Sequence, residues 1–248
     1  MGITNRDSGT RVDEIADRVY RISTPVPPAN FPGGFTFNQF LVDDDEPLLF
    51  HTGLRRMFPL VKQAIESVLP LARLRHVSFS HFEADECGSL NELLAAAPNA
   101  KPLCGNLAAA VSVDDVADRP ARTLQDGESL ATGRNTVRFF HTPHLPHAWE
   151  CGYLFEARTQ TLFCGDLYTQ GGHEHVPLTQ ADILGPSENA LGQFDYFAYA
   201  PRSRAHLERL AELRPRTLAC MHGSSWQGDG AGLLRALADS LESRRPSP

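Results

Sequence analysis

The sequence is short of positive charge. Its 23 lysines and arginines stand against 30 acidic residues, a formal charge of −7. Phosphate backbones are held by clustered basic residues, so binding to nucleic acid is not expected, and attachment to an anionic membrane surface is disfavoured. Long apolar runs are also missing: no window approaches the roughly 18 uninterrupted apolar residues of a transmembrane helix. The segment Met1-Gly2-Ile3-Thr4-Asn5-Arg6-Asp7 is polar and lacks the apolar stretch of a secretion signal. Cysteine is scarce and scattered. Cys87, Cys104, Cys151, Cys164 and Cys220 contain no C-x-x-C pair, which excludes a zinc ribbon, and their odd number does not suggest a disulfide framework. A cytoplasmic location follows as the expectation, with the thiols acting as small buried apolar groups. Low-complexity linkers and internal repeats are absent.

What remains is an ordinary globular composition of 248 residues, 42% hydrophobic, long enough to bury a sizeable core. The unusual feature is ten histidines in an acidic chain. Imidazole and carboxylate together are the raw material of a metal site.

Short β-type runs alternate with helix-type runs. Strands are expected over 18–22, 35–42, 47–50, 74–80, 101–104, 136–140 and 217–221, with a hairpin from 151–156 and 161–164. Helices are expected over 58–69, about 87–96, 107–111, 204–213 and 230–241. Asp43-Asp44-Asp45 reads as a turn, and residues 167–190 as an exposed excursion suited to dimerisation or to lid closure. The first ten residues and the last six read as frayed ends. The pattern predicts a layered α/β arrangement with a mixed sheet.

The chemistry gathers at strand ends. Ser78-Phe79-Ser80-His81-Phe82-Glu83-Ala84-Asp85-Glu86-Cys87-Gly88 supplies one imidazole and three carboxylates within six residues where a buried strand gives way to a helix. In an extended stretch, positions 81, 83 and 85 project to one side. An acidic turn on a helix dipole accounts for Asp85 and Glu86 but not for His81. His141-Thr142-Pro143-His144-Leu145-Pro146-His147, Cys164-Gly165-Asp166 and Cys220-Met221-His222-Gly223 follow three later strands. If the strand ends converge on one edge, as ligand-binding edges of α/β sheets do, these groups meet at a metal site.

The series H-x-E-x-D at 81, 83 and 85, the acid at 86, His147, Gly165-Asp166 and His222-Gly223 resembles the metallo-β-lactamase fold superfamily. The likeness runs from Asn38 through the last helix. Glu83 stands where the hydrolases of that superfamily show histidine, and in this the chain is similar to the flavodiiron proteins and to an oxygen-binding di-iron protein. The resemblance implies a four-layer αβ/βα sandwich with two mixed sheets. It implies one metal held by His81, Glu83 and His147, a second by Asp85, Glu86 and His222, and Asp166 bridging them. His147 is preferred to His141 and His144 because Glu150 follows it at the third position. Glu86 departs from the family's histidine.

Carboxylate-rich sites suit iron, or manganese, better than zinc. The expectation is a single domain over 1–248, with its core at about 15–243 and no room for a flavodoxin domain, hence no FMN. The implied function is a di-iron protein that binds or reduces O2 or NO with electrons from an external reductase. The alternatives are a zinc or mixed-metal hydrolase, in which Asp85 orients the attacking water, and an oxygen sensor without turnover. Supporting or pocket-lining roles are expected for Asn38, His51, His144, Trp149 and Glu150. His51 stands where the superfamily carries aspartate in an L-x-D-T-G pattern. Trp226 can also wall the pocket, and His173 and His175 decorate a loop at its entrance.

Glu83, Asp85, Glu86 and Asp166 together balance the charge of two divalent ions, and a neutral buried site costs less to desolvate than a charged one. A histidine at 86 would leave the site positive. The Glu86→His variant is therefore expected to bind azide more tightly than the native chain. Equal affinities would overturn this reading of the charge balance.

Overall fold

In the computed structural model, which describes residues 2–192 and 194–244, two seven-stranded sheets lie face to face. The first contains β1 (Arg11–Ala16), β2 (Val19–Val26), β3 (Phe35–Val42), β4 (Leu48–Phe50), β5 (His76–Ser78), β6 (Lys101–Gly105) and β7 (Arg122–Leu124), laid across the sheet in chain order. β1 to β4 form an antiparallel meander, and β4 to β7 run parallel. The second contains β8 (Ser129–Ala131), β9 (Thr136–His141), β10 (Gly152–Glu156), β11 (Thr161–Phe163), β12 (Leu178–Thr179), β13 (Thr217–Ala219) and β14 (Ser225–Gln227). Its spatial order is β8-β9-β10-β11-β13-β14-β12, with β11 parallel to β13.

The layering follows from the two-residue period of a strand. In β3, Phe37 and Leu41 face the helices Phe58–Glu66 and Leu90–Ala96, whereas Phe40 and Val42 face the other sheet. Both faces are apolar because both are covered. Between the sheets, the Phe163 ring lies 5.8 Å from Phe40 and 5.3 Å from Phe50. Each fully buried side chain of this kind is worth about 1.5–3 kcal/mol. On the far side, the helices Ser203–Ala211 and Gly230–Arg244 bury Leu207, Leu210, Leu234 and Leu237 against Leu162 and Leu218. The result is the expected four layers, with two mixed sheets inside. No helix among the described residues is long and apolar enough to cross a membrane.

Several elements differ from expectation. In β1 the buried apolar residues Val12 and Ile15 are three apart, with charged residues between them and a register shift at Glu14/Ala16, so the strand carries no two-residue period. The start of the chain is tied down: Val12 N–H donates to the Gly2 carbonyl at 2.9 Å, and Thr4 N–H to Thr10 at 2.8 Å. The ordered core thus begins before residue 15. Ser243 and Arg244 close the last helix, and 245–248 lie outside the described residues. The helix expected near 87–96 is two, Ala84–Cys87 and Leu90–Ala96. A side chain at Gly88, between them, would sit 2.2 Å from the Ala84 carbonyl oxygen. Residues 167–190 are not a wholly exposed excursion. Leu167, Tyr168, Thr169 and Gln170 are buried, and Leu184–Leu191 is helical.

The Asp43-Asp44-Asp45 turn is also a bolt between the sheets. The buried Asp44 carboxylate accepts hydrogen bonds from Thr132 Oγ1 (3.0 Å), Arg134 N (3.0 Å), Asn135 N (2.8 Å) and Asp45 N (2.9 Å). It joins the β3–β4 turn to the β8–β9 turn. Burial alone raises a carboxyl pKa, but these bonds outweigh it and hold Asp44 below the ordinary value. Asp44→Ala is expected to cost about 2–3 kcal/mol at neutral pH. Because the folded-state pKa is lowered, the stabilisation is present above the ordinary carboxylate pKa and fades as pH falls through the folded value. Denaturant titrations of both chains at neutral and acid pH should converge as the pH drops; a constant gap would contradict this account.

Candidate metal centre

The strand directions bring the chemistry to one rim. β9, β11 and β13 run parallel to one another, since β9 and β11 each pair antiparallel with β10 and β13 pairs parallel with β11. Their C-terminal ends deliver the loops carrying His147, Asp166 and His222. β5 delivers Ser80 and His81 from the first sheet, where the Ser80 carbonyl accepts from Gly152 N–H at 2.8 Å. Gly165 has φ +49, and a Cβ there would meet Ser80 at 2.8 Å, so the turn before Asp166 can approach the His81 loop this closely only as glycine.

Seven side chains assemble there as two groups. In the first, His81 Nε2 lies 3.1 Å from Glu83 Oε2 and 3.6 Å from Asp166 Oδ2. His147 Nε2 lies 3.6 Å from Glu83 Oε2, 3.7 Å from Asp166 Oδ2 and 3.1 Å from His81 Nε2. In the second, His222 Nε2 lies 3.4 Å from Asp85 Oδ2 and 3.3 Å from Asp166 Oδ1, with Glu86 beside them. Asp166 therefore turns one oxygen to each group. The separation of 81, 83 and 85 does not come from strand alternation alone. Glu83 is extended, but Asp85 and Glu86 sit on the helical turn Ala84–Cys87, which aims them at the second group.

The donor set fits metal ions. Metal–ligand distances of about 2.1 Å place neighbouring ligand atoms about 3.0–3.4 Å apart, close to the separations here. Both oxygens of the fully buried Glu86 have no hydrogen-bond partner among the described residues. An unpaired buried carboxylate is expensive, and a cation removes the cost. The histidines are set for ligation as well. His147 Nδ1 lies 3.2 Å from the Tyr196 carbonyl and His222 Nδ1 lies 2.7 Å from the Thr36 carbonyl. A carbonyl only accepts, so each ring carries its hydrogen on Nδ1 and turns the Nε2 lone pair to the site. His81 Nδ1 lies 3.0 Å from Ser80 Oγ.

Without a cation, protons take its place. Burial lowers the His222 pKa, but its hydrogen bonds and charge interactions with Asp166 and Asp85 reverse this and bring it to about 9. The same opposition holds at His81, where Cys151 and Glu83 as hydrogen-bond partners and the charges of Glu86 and Asp166 raise the pKa well above the ordinary value. Glu83, paired with His147 and His81, falls to about 2. Glu86 is pushed well up, by burial first and by Asp166 second.

The surrounding residues divide. Asn38 Nδ2 donates to the carbonyls of Cys220 and Gly223, both at 2.9 Å, and so pins the His222 loop. His51 is fully buried, and its Nε2 lies 3.1 Å from Ser80 Oγ; burial lowers its pKa to about 3, leaving it neutral. Glu150 does not face the cluster. Its carboxylate accepts from Phe82 N–H at 2.9 Å and ties the two histidine loops together. Two expectations are corrected. His144 is exposed and contributes its backbone N–H to Ala148, not its ring, and Trp149 is 54% exposed. The short loop between Pro143 and Glu150 turns both outward. Trp226 donates to the Ala181 carbonyl, and His175 Nε2 is engaged with Gly171 O at 3.0 Å.

The aromatic walls are instead Tyr196, edge-on to His147 at 4.8 Å, and Phe35, stacked on His222 at 4.2 Å. Neither stands in a motif. Phe35 opens an apolar strand, and Tyr196 lies in an irregular segment without periodicity. All five cysteines are free and buried.

Comparison with known proteins gives the family and the fold. Residues 35–223 match the family model described as ODP family beta lactamase. The rubredoxin-oxygen oxidoreductase of Megalodesulfovibrio gigas is 26% identical over 206 residues, covering 79% of this chain and 50% of its own length. Diflavin flavoprotein A 1 of Nostoc sp. is 24% identical over 208 residues, covering 79% of this chain and 35% of its own. The chain thus spans half or less of the length of these curated relatives. Among solved structures, the rubredoxin oxygen:oxidoreductase of Desulfovibrio gigas superposes with a TM-score of 0.79 at 20% identity, over 95% of this chain and 62% of that one. A flavo di-iron protein variant from Thermotoga maritima gives 0.81 at 16% identity, over 96% and 63%. These likenesses show the fold. The expectation that no FMN takes part is overturned: relatives matched over this core are named as diflavin flavoproteins, and this chain covers only part of their length.

Because metal ions must displace the protons held by His222 and His81, their affinity should rise with pH. The expected slope is about tenfold per pH unit for each proton displaced, up to the His222 pKa of about 9. In the metal-free protein the sign is opposite: the stabilisation from protonated His222 is complete below the ordinary histidine pKa and lost as pH rises through about 9. Titration with manganese(II) in lightly buffered solution, with an indicator dye, reads both affinity and released protons. A pH-independent affinity would contradict the assignment.

Proposed function

The chain belongs to the ODP family beta lactamases, and on that premise we propose that it holds a dinuclear iron centre at which a small diatomic molecule, O2 or NO, is bound and reduced with electrons from a separate partner. The observation that carries this reading is the donor set. Four carboxylates and three imidazoles, with no thiolate, meet at one buried rim, and Asp166 presents one oxygen to each half. Such a set favours hard, redox-active ions. The names of the relatives, an oxygen oxidoreductase and a flavo di-iron protein, support the same direction.

Bound there, iron would supply one-electron chemistry and coordination of the diatomic. The chain's own residues do the rest. His81, Glu83 and His147 would hold one ion, Asp85, Glu86 and His222 the other, and Asp166 would join them. Thr36 and Tyr196 fix the rings of His222 and His147 through their carbonyls. The rings of Phe35 and Tyr196 shield these imidazoles from water, which strengthens every charge interaction inside. Glu83, whose side chain is 54% exposed, marks the open side from which a small ligand and a reductant can approach.

Metal analysis and optical spectroscopy of protein produced with iron test the proposal. The expected result is two irons per chain, a visible ferric absorption that reductant bleaches, and consumption of O2 or NO when a generic reductase supplies electrons. Two zincs, no visible absorption and cleavage of an ester, thioester or phosphodiester would overturn it. Iron and ligand binding without consumption would overturn the reductive step.

A further inference from the structure

The three imidazoles of the centre are not oriented alike. His147 and His222 give their Nδ1 hydrogens to backbone carbonyls, which can only accept. His81 faces a hydroxyl, Ser80 Oγ, at 3.0 Å. A hydroxyl is ambivalent. If it donates to Nδ1, the His81 hydrogen moves to Nε2, points into the cluster and blocks ligation. If it accepts, Nε2 is a free lone pair. The second arrangement holds only if the Ser80 hydrogen has somewhere else to go.

One acceptor is in place. His51 Nε2 lies 3.1 Å from Ser80 Oγ, and His51, Ser80 and His81 are all buried. The His51 ring is held firmly. It packs against Phe50 with centroids 4.4 Å apart, and its backbone sits at φ 69, a region costly for any residue but glycine. Its N–H donates to the Ser78 carbonyl at 2.8 Å, and the next residue, Thr52, donates to the Glu86 carbonyl at 2.7 Å. His51 is thus anchored both to β5, which carries His81, and to the helical turn that carries Glu86. The Cys151 thiol also borders the His81 ring, but its hydrogen goes to the Leu145 carbonyl at 3.2 Å and sulfur is a weak acceptor. The opposite assignment, with His51 Nε2 as donor, sends the Ser80 hydrogen to His81 Nδ1 and the His81 hydrogen to Nε2, where it blocks ligation. An ion on His81 Nε2 therefore selects the accepting form of His51, although His51 Nδ1 then has no partner among the described residues.

We propose that His51, acting through Ser80, is a positioning residue that fixes the tautomer of His81 and thereby sets the metal affinity of the half built from His81, Glu83 and His147. This rests on the reading of the cluster as a metal centre. The half built from Asp85, Glu86 and His222 takes its orientation from the Thr36 carbonyl and is independent of the relay.

Zinc(II), being diamagnetic, serves as the probe in calorimetric titrations and in NMR of imidazole N–H protons. Native protein should take up two ions and show protected Nδ1 hydrogens on His81, His147 and His222. Ser80→Ala and His51→Phe should each weaken the first half by about 10–100-fold, the range typical of outer partners of metal-bound histidine. They should lose protection of the His81 proton alone. His51→Gln, whose amide oxygen can accept near the position of Nε2, should restore both. Unchanged affinity and protection in Ser80→Ala and His51→Phe would overturn the proposal, as would failure of His51→Gln to restore them, or an equal loss in both halves, which would mark a general loss of fold. Native protein that binds no zinc, manganese or iron would instead overturn the metal reading itself.

Discussion

Four carboxylates and three imidazoles share one corner of this molecule, buried except at Glu83 on its open side, and like charges held that close repel unless a counter-charge is present. That constraint governs the rest of the site. It explains why Glu86 is driven toward its protonated form while Asp166, beside three histidines, is held ionised. It explains why His81 and His222 retain protons that burial alone would strip. Protons and metal ions are alternative answers to the same electrostatic demand, so the metal-free fold is not a hollow version of the loaded one.

The scaffold meets the demand mostly with backbone. Carbonyls of Thr36 and Tyr196 orient two histidines, the Asn38 amide grips the carbonyls of Cys220 and Gly223, and the Glu150 carboxylate holds the Phe82 N–H. Such contacts place the donors to within hydrogen-bond tolerance while the side chains themselves stay free for the cluster. A further buried cation, Arg21, donates to the Gly223 carbonyl at 2.7 Å behind the His222 loop. The loop is therefore held from two strands, β2 and β3, of the opposite sheet.

How much of this was legible in the sequence depends on the kind of interaction. Apolar runs that end in His or Asp marked the strand ends at 81, 166 and 222, because a polar residue just after a buried strand is a local signal, whereas His147, six residues beyond β9, was singled out from His141 and His144 only by the family resemblance. The long strand over 35–42 and the helix from 58 were legible for the same reason. β7, β8, β12 and β14 were not. They have three residues or fewer and are defined by partners far along the chain, not by a period of their own. Backbone carbonyls leave no trace in residue identity, so the seats of His147 and His222 were invisible. Tyr196 and Phe35 carry no motif and reach the site only because the chain folds back on itself. His144 and Trp149 misled because proximity in sequence within a tight loop says nothing about which way a side chain turns.

The division of the site between the sheets has one more consequence. β1 to β7 come from residues 11–124 and β8 to β14 from 129–227. The first stretch contributes His81, Glu83, Asp85 and Glu86, and the second contributes His147, Asp166 and His222; each donor group draws on both. Neither half of the chain can assemble a complete set of donors, and a slip of one residue between the sheets, about 3.3 Å, would dismantle both groups together. The centre is thus a checkpoint on assembly. It comes into existence only after the two halves have docked in register, and an ion bound there would cross-link residues 81–86 to residues 147–222.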